Sequence, residues 1–275
     1  MNSTVQRSIS GVAFIAIMLA GLLIHPIGFA ALILLMTGVM LHEFYRITMG
    51  THFRHTQALA IVAGLILVLV AFLTAGYGLP AKYIAVAVIP IFVVMTTSLY
   101  VKDKADFGMF SNVYTGLLYI ALPMSLASYV AFRGGAFDGR LLLSFFIIIW
   151  ASDVGAYVFG MSLGQRFGKK LFPEISPKKS WIGAIGGGIS AIAAALILRA
   201  TGMLDFPVLH CIFLALVMDI AGVYGDLFES QWKRCYDIKD SGNSIPGHGG
   251  FLDRFDSTLL AFPTGAVYLI LTGLL

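Results

Sequence analysis

Nine apolar stretches of membrane-spanning length follow one another along this chain, and they limit its fold more than any other feature. A helix that crosses the hydrocarbon core of a bilayer needs about 20 mostly apolar residues. The stretches lie at residues 8–24, 26–46, 57–75, 82–100, 112–132, 141–161, 180–199, 206–226 and 257–275. We therefore predict an all-α, polytopic integral membrane protein with about nine transmembrane helices. Its predicted surroundings are the lipid bilayer.

The composition excludes several other classes of protein. Hydrophobic residues make up 59% of the chain and charged residues only 12%, whereas a soluble domain has about 25% charged residues. The net charge of +4 is modest, and no nucleic-acid partner is expected. Cys211 and Cys235 form neither a disulfide framework nor a zinc-binding spacing, so we expect both to be thiols.

Positive charge is distributed unevenly over the segments between the stretches. Of the 18 lysines and arginines, 14 fall on the side of the N-terminus and 4 on the opposite side. Cytoplasmic loops are enriched in these residues. We therefore predict a cytoplasmic N-terminus in a multi-pass protein of the inner cell membrane. Both long polar loops, 162–180 and 227–256, then face the cytoplasm.

The two halves of the chain differ in their ionisable residues. Residues 1–140 carry few of them inside the apolar stretches, so we interpret this half as a scaffold of transmembrane helices. Glu43 is the exception, and we interpret it as an interfacial acid paired with Arg46. Residues 141–275 hold membrane-embedded acids and both long cytoplasmic loops, and we interpret them as the catalytic part.

The membrane-embedded acids of the second half follow a helical spacing. Asp219, Asp226, Ser230 and Lys233 fall on one face of a helix, and Asp153 lies in the sixth stretch. Acids inside a membrane usually line a polar cavity or pathway. The spacing therefore predicts a polar cavity open to the cytoplasm. A purely structural hydrogen bond at Asp219 is an equally good interpretation.

The 162–180 loop combines glycines with hydroxyl and ammonium groups. Ser176, Lys178 and Lys179 directly precede the seventh stretch, and Ser180 begins it. Ser180 is predicted to cap that helix, and a helix N-terminus favours an anion. The pattern suits a polyphosphate ligand, although a basic cytoplasmic loop also follows from the charge rule alone.

The segment 230–256 is the longest strongly polar run in the chain. Asp253 and Asp256 are three residues apart, and we expect them to face the same way on a first helical turn. With Asp226 they form a set of hard oxygen donors that suits one or two Mg²⁺ ions, and Mn²⁺ is compatible with the same donors. An ordinary solvated loop is the alternative interpretation.

Cations and glycines accompany these acids in the polar segment. The basic side chains that can offset phosphate charge are Lys233, Arg234, Lys239 and Arg254. The Gly249-Gly250 pair allows close approach of the backbone. His248 has two interpretations that the residues leave open: contact with a phosphate, or support of the turn.

Several of these residues also resemble a known family signature. Ser230-x-x-Lys233-Arg234, Lys239-Asp240-x-Gly242 and His248-Gly249-Gly250-x-x-Asp253-Arg254-x-Asp256 resemble the signature of the phosphatidate cytidylyltransferases, also called CDP-diacylglycerol synthases. Asp153-x-x-x-Tyr157 and Ser176-Pro177-x-Lys179-Ser180 resemble a second motif of that family. Together the motifs cover about a fifth of the chain. Trp232 and Ile182 depart from the usual residues at their positions.

The resemblance implies a reaction in which CTP and phosphatidate give CDP-diacylglycerol and pyrophosphate. It implies catalytic roles for Asp226, Ser230, Lys233, Arg234, Lys239, Asp240, His248, Asp253, Arg254 and Asp256. It implies CTP binding by Asp153, Tyr157, Ser176, Lys178, Lys179 and Ser180. Magnesium is expected on Asp226, Asp253 and Asp256. The nucleophile is already an ionised phosphate, so positioning and electrostatics should supply most of the catalysis.

Other functions remain open at this point. A related enzyme for another lipid or polyprenol acceptor would need the same groups, because nothing in the motifs reads acyl chains. A cation- or proton-coupled transporter would need polar groups at both membrane faces, whereas these gather on one. A catalytically inactive scaffold does not account for the complete set of acids. The oligomeric state stays open, and a homodimer is compatible with the sequence.

Overall fold

The computed structural model describes residues 3–51, 53–101, 104–245 and 249–275 of a mainly helical chain. The helices of the N-terminal half are α1 (Ser3–Leu23), α2 (Pro26–Met49), α3 (Arg54–Tyr77), α4 (Val88–Ser98), α5 (Lys104–Met109), α6 (Ser111–Gly116) and α7 (Leu122–Ala131). Those of the C-terminal half are α8 (Arg140–Phe159), α9 (Gln165–Phe167), α10 (Trp181–Ala200), α11 (Val208–Cys235) and α12 (Asp256–Leu271). Strands β1 (Lys170–Phe172) and β2 (Ser176–Ser180) form a small antiparallel hairpin.

Seven helical segments within the described residues are long and apolar enough to cross a bilayer. They are Pro26–Met49, Arg54–Tyr77, Ala81–Ser98, Phe107–Ala131, Arg140–Phe167, Trp181–Ala200 and Val208–Cys235. Two further apolar helices, Ile9–Leu23 and Asp256–Leu271, are shorter. The predicted all-α, multi-pass architecture is confirmed. The count of nine and the cytoplasmic N-terminus stay predictions.

The chain divides into two compact units. The first unit comprises residues 1–138 and 238–254, and the second comprises residues 139–237 and 255–275. The loop 238–254, which belongs to the polar segment of the sequence, therefore folds with the N-terminal helices. The unit that we interpret from its sequence as a scaffold thus includes part of the signature.

Local sequence signals set the helix ends in the first unit. Pro26 begins α2, where its missing N–H is not needed, and the Nδ1 atom of His25 accepts a hydrogen bond of 3.1 Å from the Ile27 N–H. Gly78 ends α3 in the left-handed conformation and donates its N–H to the Leu73 carbonyl. These caps end the helices with backbone groups satisfied inside the protein, as segments in lipid require.

Small residues allow close packing of α8 and α10 in the second unit. A Cβ atom on Gly186 would lie 2.4 Å from Phe159, and one on Gly155 would lie 2.2 Å from the Ser190 Oγ. Helices in membranes approach closely where their contact faces carry such residues. The packing fixes α8, which carries Asp153, against α10.

Both polar loops contain more regular structure than the sequence predicts. Helix α11 continues to Cys235, past the apolar stretch that ends at residue 226, so Ser230 and Lys233 are helical, as their spacing predicted. The 162–180 region holds the end of a π-helical turn at Gly160–Gly164, then α9 and the hairpin. Polar composition marks where a helix leaves the membrane, and it does not mark where the helix ends.

The expectation that Asp253 and Asp256 share the first turn of one helix is wrong. Asp253 lies in a separate 3₁₀ turn, Leu252–Arg254, and α12 begins only at Asp256. Phe255 stands between them with φ −120° and ψ 7°, which is not a helical conformation. Its ring is buried and stacks edge-on against Phe146, so packing accounts for the break.

Candidate active site

Three carboxylates come together in the second unit. Asp153 lies on α8, Asp226 on α11 and Asp256 at the first residue of α12. Asp226 and Asp153 both lie close enough to Asp256 for electrostatic repulsion between the carboxylates, and Asp226 is equally within range of Asp153. We refer to these three residues as the acid cluster. It gathers acids that are up to 103 positions apart in the sequence.

Ser257 holds two members of the acid cluster. Its backbone N–H donates a hydrogen bond of 2.7 Å to Asp256 Oδ1, and its hydroxyl donates one of 3.3 Å to Asp153 Oδ1. A residue at the start of α12 thus orients an acid of α8 and an acid of its own helix. Ser257 was not singled out in the sequence, because no motif that we quote reaches past Asp256.

Asp226 has a cation and a hydroxyl as partners. Its Oδ2 atom lies 2.7 Å from the Lys179 Nζ, and its Oδ1 atom accepts a hydrogen bond of 3.2 Å from the Ser230 hydroxyl. Lys179 belongs to β2, so the hairpin brings its ammonium group to α11. The structure therefore joins two groups, Lys179 and Asp226, that the sequence placed in separate motifs.

A glycine allows α11 and α12 to approach beside the acid cluster. A Cβ atom on Gly225 would lie 2.5 Å from the Asp256 carbonyl and 3.3 Å from the Ser257 Cα. These are backbone atoms that cannot move aside, so a larger residue would push the two helices apart. Gly225 therefore fixes the separation of Asp226 from Asp256.

Asp219 has a structural role, which was one of its two interpretations. It is buried and accepts a short hydrogen bond from the Ser152 hydroxyl of α8. Cβ atoms on Gly187 and Gly188 of α10 would lie 3.1 Å and 3.2 Å from its carboxylate oxygens. Asp219 of α11 thus packs where α8, α10 and α11 meet.

The acid cluster supplies hard oxygen donors without being a closed metal cage. Three carboxylates face the ammonium groups of Lys179 and Lys233, so negative charge is in excess. In the part of the chain that the structure describes, no three histidine, cysteine or acidic side chains converge closely enough to hold a metal ion. Mg²⁺ usually takes one or two carboxylates and completes its shell with water and substrate phosphates. The residues fit a metal that arrives with a nucleotide.

The remaining residues predicted to bind CTP differ in their exposure. Ser180 caps α10, and its hydroxyl accepts a hydrogen bond of 3.2 Å from the Gly183 N–H, as predicted. Ser176 is half-buried on β2, whereas Lys178 and Tyr157 are exposed. Their roles in CTP binding stay predictions.

The end of α11 carries two of the predicted cations. The Lys233 Nζ lies 3.2 Å from Glu229 Oε1, and Glu229 is fully buried. Arg234 is exposed in the last turn of the helix, where a positive charge complements the helix dipole. Glu229 was not considered in the sequence, although a buried acid near a predicted site is a usable signal.

The first unit contains the rest of the predicted site residues, in the 238–254 loop. Lys239, Asp240 and Arg254 are exposed. Asp253 accepts two hydrogen bonds of 2.9 Å at its Oδ2 atom, from the backbone N–H groups of Ser241 and Gly250. His248, also predicted as a site residue, lies outside the described residues.

The interpretation of Glu43 as the partner of Arg46 is wrong. Glu43 is only 2% exposed, and its carboxylate accepts hydrogen bonds from Ser241, Ser244, Phe251 and Leu252 of the 238–254 loop. These partners are about 200 positions away in the sequence, so local charge pairing suggested the wrong one. The usable signal was an acid inside an apolar helix, which is costly unless it is fully hydrogen-bonded.

Comparisons with known proteins agree with the signature. The model of the cytidylyltransferase family matches residues 5–272. A phosphatidate cytidylyltransferase of Bacillus subtilis is 32% identical over 269 residues, 94% of each chain. Proteins of the same name from Rickettsia bellii and Haemophilus influenzae are 40% and 46% identical over 154 and 127 residues, which cover 54% and 45% of this chain and 64% and 43% of theirs. This chain belongs to the cytidylyltransferase family.

Proposed function

We propose that this protein transfers CMP from CTP to phosphatidate, giving CDP-diacylglycerol and pyrophosphate, in a reaction that depends on Mg²⁺. The acid cluster is the observation that carries the proposal, because it gathers three carboxylates beside the ammonium group of Lys179, which is ion-paired with Asp226. Relatives named phosphatidate cytidylyltransferase support the choice of nucleotide and acceptor.

The chemistry asks little of the protein beyond placement and charge. A phosphate oxygen of phosphatidate attacks the α-phosphorus of CTP, a new P–O bond forms, and the bond to the β-phosphate breaks. The attacking oxygen is already ionised at pH 7, so the reaction needs no general base. Transition-state charge spreads over phosphate oxygens, and positioned cations stabilise it.

The residues of the second unit divide these tasks. Asp226 and Asp256, with Asp153 beside them, would supply one or two carboxylate ligands to Mg²⁺, which would neutralise charge on the CTP phosphates when bound. Lys179 keeps Asp226 oriented through their contact of 2.7 Å and adds a positive charge beside it. The positive charge of Lys233 attracts the Asp256 carboxylate of the acid cluster. Asp153 enters this set from the structure, in addition to its predicted part in CTP binding.

The 238–254 loop supplies further groups in this proposal. Lys239 and Arg254 are exposed cations that suit the lipid phosphate or the departing pyrophosphate. Asp253 remains a proposed metal ligand, as the family signature implies. Its Oδ2 atom already binds two backbone N–H groups, so the metal role would fall to its other oxygen.

The site is proposed to face the cytoplasm from the inner membrane. CTP is a cytoplasmic nucleotide, and the excess of lysine and arginine on the N-terminal side predicts that the polar loops lie there. Bacterial relatives with the same name are consistent with an inner-membrane location. Cysteine labelling of Lys239→Cys, in a variant whose exposed Cys235 is replaced by Ser, in sealed vesicles of known orientation checks this assignment.

Turnover of the purified protein with labelled CTP tests the proposal directly. The protein is incubated with Mg²⁺ and, in separate reactions, phosphatidate, a polyprenyl phosphate or no lipid. We expect lipid-linked CMP with phosphatidate only, and its loss on chelation of the metal. A product with polyprenyl phosphate alone would replace the acceptor, and no lipid-linked CMP with any lipid would refute the proposed transfer.

A further inference from the structure

We propose that Glu43 of α2 is a positioning residue that holds the 238–254 loop in its working conformation. This role rests on the proposed function only in that the loop serves the transfer reaction. The hydrogen bonds themselves lie within the first unit. Nothing in the family signature quoted above includes this residue.

The carboxylate of Glu43 is saturated by donors from the loop. Oε1 accepts hydrogen bonds from the Ser244 hydroxyl and, at 2.9 Å, from the Phe251 N–H. Oε2 accepts them from the Ser241 hydroxyl at 3.2 Å and the Leu252 N–H at 2.8 Å. A carboxylate has about four acceptor sites, so the loop fills all of them.

The four donors come from both arms of the loop. Ser241 and Ser244 lie before the Gly249-Gly250 turn, and Phe251 and Leu252 lie after it. A single buried group therefore ties the two arms together. Since hydrogen bonds to charged groups are the stronger ones, Glu43 does more to fix the loop than neutral contacts would.

Asp253 and the neighbouring glycines complete this arrangement. The Oδ2 atom of Asp253 accepts from the Ser241 N–H, while the Ser241 hydroxyl donates to Glu43, so one residue joins both carboxylates. A Cβ atom on Gly242 would lie 2.8 Å from Glu43 Oε1, and one on Gly250 would lie 1.9 Å from the Ser241 Oγ. A side chain at Gly242 would therefore collide with Glu43, and one at Gly250 with its partner Ser241.

The charged side chains of the loop take no part in the hydrogen bonds to Glu43. Lys239, Asp240 and Arg254 are exposed, and none of the four hydrogen bonds to Glu43 uses them. Glu43 can therefore fix the backbone on which these groups sit without neutralising them. We infer that it acts on the reaction through the loop and does not touch the substrates.

Hydrogen exchange and turnover of Glu43→Gln test the role. Each Glu43 oxygen receives one backbone N–H, so either orientation of the Gln amide sets its NH₂ group against a donor. We expect the amides of Phe251 and Leu252 to exchange about 10- to 100-fold faster, and kcat/KM to fall by a similar factor. Exchange in α8 and α11 should not change.

Tyr45→Phe is the matched control. Tyr45 is buried on the same helix, and its hydroxyl donates to the Val113 carbonyl at 2.9 Å, away from the loop. Its removal should leave loop exchange and kcat/KM near wild type. If Tyr45→Phe changed both as much as Glu43→Gln does, the loop would be reporting general loosening of the unit, and the proposed role would be overturned.

Ser244→Ala keeps the test decisive if Glu43→Gln does not fold. It removes one donor and leaves the carboxylate in place, so we expect exchange at Phe251 to rise about 3- to 10-fold. Unchanged exchange in both folded variants, or faster exchange with unchanged kcat/KM, would overturn the positioning role. A wild-type protein that makes no lipid-linked CMP would instead refute the proposed function, and the exchange data would still show whether Glu43 holds the loop.

Discussion

The acids of the two units are held in contrasting ways. In the first unit, Glu43 of α2 accepts four hydrogen bonds from the 238–254 loop and one oxygen of Asp253 accepts two, all from backbone N–H or hydroxyl donors. In the acid cluster, Asp153, Asp226 and Asp256 act on one another as like charges. Like charges held together are costly and are typical of sites that bind a cation. An acid whose partners are hydrogen-bond donors is therefore assigned a structural role, and an acid held beside other carboxylates is assigned a chemical one.

Asp226→Asn gives the sharpest test of the chemical side of this contrast. It removes the charge that faces Lys179 while it keeps the shape, and we expect turnover to fall by at least about 100-fold with little loss of folded protein. Transfer of labelled CMP from CTP measures the effect. The control is Glu174→Gln, an exposed acid between the strands of the hairpin, which should be near wild type. Near-normal activity of Asp226→Asn would remove the acid cluster from the site.

Asp253 tests the contrast directly, because it is assigned both a structural role as acceptor of two loop N–H groups and a chemical role as metal ligand. Asn keeps a carbonyl oxygen that can accept from both Ser241 and Gly250, whereas Ala keeps none. We expect both variants to lose about 100-fold in turnover, and only Asp253→Ala to show faster exchange in the loop. Near-normal turnover of Asp253→Asn would leave Asp253 with the structural role alone.

Lys179 tests whether a cation is needed beside the acids. We expect Lys179→Met to lower kcat/KM about 10- to 100-fold, because Asp226 loses the partner that orients it and the site loses a positive charge. Lys179→Arg keeps the charge and should restore part of the activity. Equal rates for the Met and Arg variants would show that charge at this position does not matter.

Ser180 tests a structural hydrogen bond in the second unit, the helix cap that its hydroxyl forms with the Gly183 N–H. Its substitution should have the smallest effect of those considered. Loss of the helix cap in Ser180→Ala should cost about 1 kcal/mol, which lowers Tm by about 2–4 °C. Ser180→Thr keeps a hydroxyl acceptor for the Gly183 N–H without adding a charge at this buried position, and it should keep part of the stability. Thermal unfolding in detergent measures both variants. A Tm for Ser180→Ala equal to that of wild type would show that the cap contributes nothing.

Features that depend on neighbouring residues were predictable. The apolar stretches indicated the all-α membrane fold, and Ser180 was recognised as a helix cap because the cap and its partner Gly183 are three residues apart. The spacing of Asp226 and Ser230 predicted their shared helix face, and the two are hydrogen-bonded at 3.2 Å. Such features follow from helix geometry alone.

Features that depend on packing were not predictable in this way. Phe255 breaks the turn between Asp253 and Asp256 because its ring packs against Phe146, and no rule of helix periodicity contains that contact. The role of Ser257 depends on Asp153, 104 positions earlier in the chain.

The sequence by itself determined that this chain is a membrane protein with its acids, cations and glycines in two polar regions, since hydropathy and motif spacing are local properties. Only the tertiary structure decided which acids share a cluster and which acid holds the loop. Glu43 and Ser241 are 198 positions apart, and no periodicity links residues at that distance. Burial forces a carboxylate to find donors, and the fold decides where those donors are.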